Sequence, residues 1–122
     1  MNFKTEYDVI VIGAGPSGVS SAIKCSEKGL KVLIVDSNQN CGGQIYRAPP
    51  KSYKKKIDKS LKENKIQIKF SQDLEKNNID TAYNHTVWQV SPGFKIDAFN
   101  ENKIIQWKTK NLIIATGTYE KI

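Results

Sequence analysis

Arginine, histidine, cysteine and long hydrophobic runs are all scarce in this 122-residue chain, and each scarcity excludes something. Among 19 basic residues Arg47 is the only arginine, so the net charge of +7 is carried by lysine. Base reading and bidentate phosphate recognition favour arginine. The densest basic run, residues 51–62, has Tyr53 as its only aromatic and reads as a solvated helix face. A nucleic-acid partner is therefore not expected, whereas an anionic ligand remains compatible with the charge. His85 is the single histidine, which rules out a multi-histidine metal site; it is placed at a turn between strands, without a role. The two cysteines, Cys25 and Cys41, do not form a C-x-x-C pair. Cys25 falls in a helical stretch and reads as a small buried residue. Cys41 falls in a glycine loop, where an incidental cysteine is favoured over a reactive thiol. No apolar run reaches the length of a membrane span, and the N-terminus lacks a hydrophobic signal segment. A cytoplasmic chain without a membrane partner is expected. The 39% hydrophobic and 25% charged shares suit one ordinary globular domain.

What is present begins with residues 7–36. An apolar run, Val9-Ile10-Val11-Ile12, leads into Gly13-Ala14-Gly15-Pro16-Ser17-Gly18. A helical segment follows, then a second apolar run, Val32-Leu33-Ile34-Val35, closed by Asp36. This strand–turn–helix–strand pattern carries the G-x-G-x-x-G spacing in the context that gives the spacing meaning. Gly13 allows a tight turn, Gly15 leaves room for a pyrophosphate, and Gly18 lets helix and strand approach. The helix N-terminus offers free N–H groups and a positive dipole end to phosphate. Asp36 stands 18 residues beyond Gly18, at the end of the second strand, where its carboxylate can accept ribose hydroxyls.

The remaining pattern extends an α/β reading. Strands are expected at 7–12 and 31–36, with a helix over 17–28 that starts near Pro16 and stops at Gly29. Val19, Ala22, Ile23 and Ser26 form its sheet-facing side. A loop, 37–50, holds Gly42-Gly43-Gln44-Ile45-Tyr46-Arg47, whose adjacent glycines imply a backbone passing close to something. A lysine-rich helix is expected over 51–64, with Tyr53, Ile57 and Leu61 at four-residue spacing. Residues 65–77 alternate like a strand yet also share a helical face; a helix is chosen, because a parallel sheet needs a crossover before its third strand at Ile79. Three β-prone stretches, 86–90, 94–99 and 103–108, are separated by Ser91-Pro92-Gly93 and Asn100-Glu101-Asn102. They read as an antiparallel meander inserted before a last parallel strand, 112–115. That strand ends in Thr116-Gly117, a close-approach glycine at a strand's C-terminal end.

Taken together, these segments resemble the N-terminal FAD-binding portion of the two-dinucleotide-domain flavoprotein oxidoreductases, which include thioredoxin reductase. Within that class, Gly42 to Arg47, Thr86-Val87-Trp88 and the ending 112–120 most resemble the larger subunit of opine oxidase, hydrogen cyanide synthase and hydroxyproline or amino-acid dehydrogenases. The resemblance spans essentially the whole chain. It implies a Rossmann-like parallel sheet with a three-stranded antiparallel β-meander, the FAD-binding half-domain. It implies FAD as cofactor, with Gly13, Gly15, Ser17 and Gly18 at the pyrophosphate, Asp36 at the adenosine ribose, and Pro16 and Ser37 among the cofactor-binding residues. Gly43 and Gln44 would line the path toward the ribityl chain. Val90 would meet the adenine through its backbone, or else be a core strand residue. Thr116 and Gly117 would close over the pyrophosphate.

The same resemblance implies a continuation: a second G-x-G-x-x-G domain, then a return segment near the flavin ring. The chain is expected to be incomplete relative to that family, needing a protein partner or a missing C-terminal half. No catalytic residue is assigned. Three readings stay open: part of an amine- or amino-acid-oxidising flavoprotein, part of an NADPH-dependent thioredoxin-reductase-like enzyme, or a non-catalytic nucleotide-binding module that assembles with a catalytic partner.

Overall fold

The computed structural model describes residues 4–38 and 57–116. Its elements run β1 (Glu6–Ile12), α1 (Pro16–Glu27), β2 (Val32–Val35), α2 (Ile57–Lys76), β3 (Asp80–Ala82), β4 (Thr86–Ser91), β5 (Lys95–Asn100) and β6 (Lys103–Ile114). The strands form one six-stranded sheet in the order β3-β2-β1-β6-β5-β4. Neighbours among β3, β2, β1 and β6 are parallel, and β6-β5-β4 is antiparallel. The α/β expectation with a Rossmann-like half and a meander holds.

Local sequence explains where the elements stop. Pro16 occupies the first turn of α1, where a missing N–H costs nothing. Gly29, at φ +82°, ends that helix in the left-handed region that L side chains avoid. At the end of α2, Asn78 takes φ +56° and the N–H of Ile79 donates to the carbonyl of Leu74. The four residues of β2 are all buried, as suits a parallel strand covered on both faces.

Two buried clusters lie on opposite faces of the sheet. One joins Val9, Val11, Val32 and Ile34 to Val19 and Ala22 of α1 and Leu74 of α2. The other joins Tyr7, Ile10, Leu33 and Val35 to Ile96, Ala98 and Trp107 from the meander. β3 and β4 lie at opposite edges of the sheet, and in a flat sheet the five inter-strand spacings would hold them roughly 24 Å apart. Yet residues 83–85 alone join them, and the ring of His85, directly before β4, has its centroid 5.8 Å from that of Trp107 on β6. The meander therefore curls back over the far face of the parallel strands and covers them.

Several expectations are corrected. The two helical segments meeting near residue 64 are one helix, α2, and the part of the expected helix at 51–56 lies outside the described residues. The third meander stretch and the last parallel strand are one element as well. The first half of β6 pairs with β5 and its second half with β1, and Lys108 takes part in both ladders. A strand can do this because its two edges carry separate hydrogen-bonding groups. Phe94 does not begin β5 but stands in the preceding turn at φ +50°. The hydroxyl of half-buried Ser26 donates to the carbonyl of Asn77 at 2.7 Å and ties α1 to the end of α2. Cys25 is half-buried rather than buried.

Candidate functional site

The parallel strands bring three chain segments together at their C-terminal ends. Gly13 follows β1 and donates its N–H to the carbonyl of Val35 at 2.8 Å. Ala115 follows β6 and donates to the carbonyl of Ile12 at 2.8 Å. The glycine turn is thus pinned between β2 on one side and β6 on the other.

Each glycine there has a different physical reason. Gly13 adopts φ +113°, and a Cβ on it would run into the carbonyl of Ala115. A Cβ on Gly18 would run into the carbonyl oxygen of Gly13 and lie 3.4 Å from Val11. Those two are required by packing. Around Gly15 a Cβ would meet nothing within 4 Å, so that glycine leaves open space in front of the helix.

The open space faces uncapped donors. Gly15 is the N-cap of α1, no side chain caps the helix, and its first turn holds no acidic residue. The N–H of Val19 is the first to close onto the helix, donating to the carbonyl of Gly15 at 3.0 Å. The earlier N–H groups of a helix have no intrahelical acceptor, and the dipole there favours an anion. Pro16 and Ser17 are exposed at this end, so a ligand has access. The donor set fits a pyrophosphate.

Asp36 is bound into the same turn. Its Oδ2 accepts the N–H of Ala14 at 2.6 Å, and its Oδ1 accepts the N–H of Asn38 at 2.7 Å. A carboxylate has about four acceptor sites, so two donors leave capacity for hydroxyl groups. Phosphate donors and a hydroxyl acceptor therefore stand on one rigid piece of backbone. The spacing in the sequence indicated the acid but not its bond to Ala14, because a main-chain donor carries no residue signature.

The sequence-derived site residues separate into three groups. Gly13, Gly15, Pro16, Ser17, Gly18 and Asp36 are brought together, with exposed Ser37 beside the acid and exposed Thr116 after the pinned Ala115. Val90 takes no part in these bonds. It lies on the edge strand β4, 43% exposed, which overturns the core-strand alternative for it. Gly43, Gln44 and Gly117 lie outside the described residues.

Two residues went unassigned in the sequence. The turn after β3 sends the N–H of Asn84 to the carbonyl of Asn38 and the N–H of His85 to the carbonyl of Asp36, both at 3.0 Å. Far from this site, at the start of β1, the Tyr7 phenol donates to Asp80 at 2.7 Å. Burial, then the Asp80 carboxylate, push its pKa well above the ordinary phenol value. Asp8 is held below the usual carboxylate range, first by the N–H of Lys31 and further by Lys110 at 3.5 Å. Among the described residues no cluster of three or more His, Cys, Asp or Glu could hold a metal ion, and no helix is long and apolar enough to cross a membrane.

Comparison with known proteins agrees with this geometry. The profile of the family described as pyridine nucleotide-disulphide oxidoreductase matches residues 7–122. An opine oxidase chain from Rhizobium meliloti (strain 1021) is 26% identical over 118 residues, covering 94% of this chain and 25% of that protein. A ferredoxin–NADP reductase from Lactobacillus gasseri is 36% identical over 118 residues, covering 92% of this chain and 34% of that protein. Among solved structures, thioredoxin reductase from Streptococcus pyogenes superposes with a TM-score of 0.70 at 24% identity. That match covers 98% of this chain and 38% of the reductase, and it shows the fold. The chain spans only about 8% to 34% of the length of the curated relatives it matches.

Proposed function

The chain belongs to the pyridine nucleotide-disulphide oxidoreductase family, and from that premise we propose that it is the FAD-binding part of a flavoprotein oxidising an amine or amino acid of the opine type. The observation that carries the binding half of this reading is the Ala14–Asp36 bond. It fixes a hydroxyl acceptor against a turn whose open glycine and uncapped helix end suit a pyrophosphate. The resemblance of Gly42 to Arg47 and residues 112–120 to opine oxidase larger subunits supports the substrate class, as do the opine oxidase relatives.

When bound, the flavin would supply the redox chemistry; the chain's own residues bind and orient it. Gly15, Ser17 and Gly18 would present main-chain groups to the pyrophosphate, and Asp36 would hold the adenosine ribose. Substrate contacts would come from a partner or from a further stretch of the protein, since the matched relatives are several times longer.

A second reading, part of an NADPH-dependent reductase, is favoured by the ferredoxin–NADP reductase match over 92% of the chain. Purification with FAD separates binding from its absence: a yellow protein whose bound flavin is bleached by dithionite supports the proposal. A colourless protein with no thermal shift on adding FAD refutes it for this chain. Among yellow complexes with a partner, reduction by an opine under anaerobic conditions distinguishes the first reading from reduction by NADPH.

A further inference from the structure

The turn that follows β3 has contacts on both its sides. Toward the meander, the buried ring of His85 packs against Trp107 with centroids 5.8 Å apart and planes tilted by 51°. Its Nδ1 lies 2.7 Å from the carbonyl oxygen of Tyr83. A carbonyl only accepts, so Nδ1 carries the proton of that bond. Toward the nucleotide site, the N–H groups of Asn84 and His85 hold the carbonyls of Asn38 and Asp36. Asn84 itself sits at φ +60°, in the left-handed region, with its side chain exposed.

We propose that the Asn84–His85 turn is a positioning element for the Asp36 carboxylate and thereby sets how strongly the site selects for ribose hydroxyls. This rests on the dinucleotide reading above. The chain of contacts is short. His85 is wedged between Trp107 and the Tyr83 carbonyl, which fixes the turn. The turn fixes residues 36–38, and the N–H of Asn38 then fixes Oδ1 of Asp36 at 2.7 Å. A binding group is only as well placed as the shell that supports it. The curled meander is thereby connected to the ribose acid through an imidazole on the opposite side of β2 from the glycine turn.

The test is a ratio of affinities, which a merely structural role would not move. ADP and 2′,3′-dideoxy-ADP are titrated calorimetrically into the purified chain and its variants. Wild type binds ADP more tightly, by on the order of tenfold for hydroxyls donating to a carboxylate. Asn84→Val strains the left-handed position without touching the core, and His85→Leu removes the wedge. Each lowers the ratio by about threefold or more, mainly by weakening ADP. Asn84→Gly, which accepts the same φ, retains the wild-type ratio. If His85→Leu does not fold, Asn84→Val against Asn84→Gly decides. Equal weakening of both nucleotides in the variants, or an unchanged ratio, overturns the inference while leaving the dinucleotide site standing. A wild-type chain that binds both equally overturns it too, because Asp36 then does not meet the ribose. A chain that binds neither nucleotide overturns both the inference and the reading beneath it.

Discussion

His85 and Trp107 stand in ring contact, with centroids 5.8 Å apart, where residues 83–85 carry the chain from β3 at one edge of the sheet to β4 at the other. That contact exists because β6 leaves its antiparallel neighbour at Lys108 and continues along β1. One strand thereby belongs to the cover and to the sheet it covers. The cost of losing the cover should be large, since Trp107 is 1% exposed and packs with residues from both halves.

Trp107→Ala is expected to destabilise the fold by about 3–5 kcal/mol, the usual range for deleting a buried aromatic. Chemical denaturation followed by far-UV circular dichroism measures it. The two tryptophans also differ in exposure, 1% for Trp107 against 56% for Trp88. Acrylamide should quench one emitting population readily and the other poorly, and Trp107→Phe should remove the protected one.

Gly15→Val and Gly18→Ala should separate binding from folding. The valine enters open space at Gly15, so the melting temperature stays near wild type while affinity for FAD is lost. At Gly18 even a methyl group meets the Gly13 carbonyl, and overpacking of that kind costs about 1–3 kcal/mol. Thermal melts with and without FAD read both effects. A Gly15→Val protein that still bound FAD as tightly as wild type would misplace the pyrophosphate.

Asp36→Asn should weaken both the turn and the ligand. The amide oxygen can accept from Ala14 or from Asn38, but the amide nitrogen cannot accept from the other. An unmatched buried N–H costs about 1–3 kcal/mol, and ADP affinity should fall by about tenfold. Parallel melts and titrations check the two.

Alkaline stability should depend on Tyr7. Its folded-state pKa is raised, by burial first and then by the Asp80 carboxylate, so the folded chain favours the neutral phenol. The stabilisation is fully present below the unfolded phenol value of about 10 and declines as pH rises above it. Melting temperatures between about pH 8 and 11 should fall at the top of that range for wild type. Tyr7→Phe should be about 1 kcal/mol less stable at neutral pH and show a flatter alkaline limb. Asp8 has the opposite sign. Its lowered pKa, set first by the Lys31 N–H, supports the fold above the ordinary carboxylate value and is lost as pH falls through the depressed one.

Sequence alone determined the features that depend on neighbours along the chain. The glycine spacing, Pro16 and Gly29 at the ends of α1 and the apolar run of β2 follow from backbone sterics and burial period. It also assigned Asp36, because a fixed strand–turn–helix–strand geometry turns spacing into position. Tertiary structure decided what depends on groups without a residue signature or on distant partners. The bond from Ala14 to Asp36 uses a main-chain donor. The single strand β6 uses one edge for an antiparallel ladder and the other for a parallel one, and each half has its own hydrophobic pattern. His85, alone of its kind and unassigned from sequence, gained its place only when β6 curled and brought Trp107 against it. Ring contact across a folded-over sheet leaves no periodicity to read, since it joins residues through space rather than along the chain.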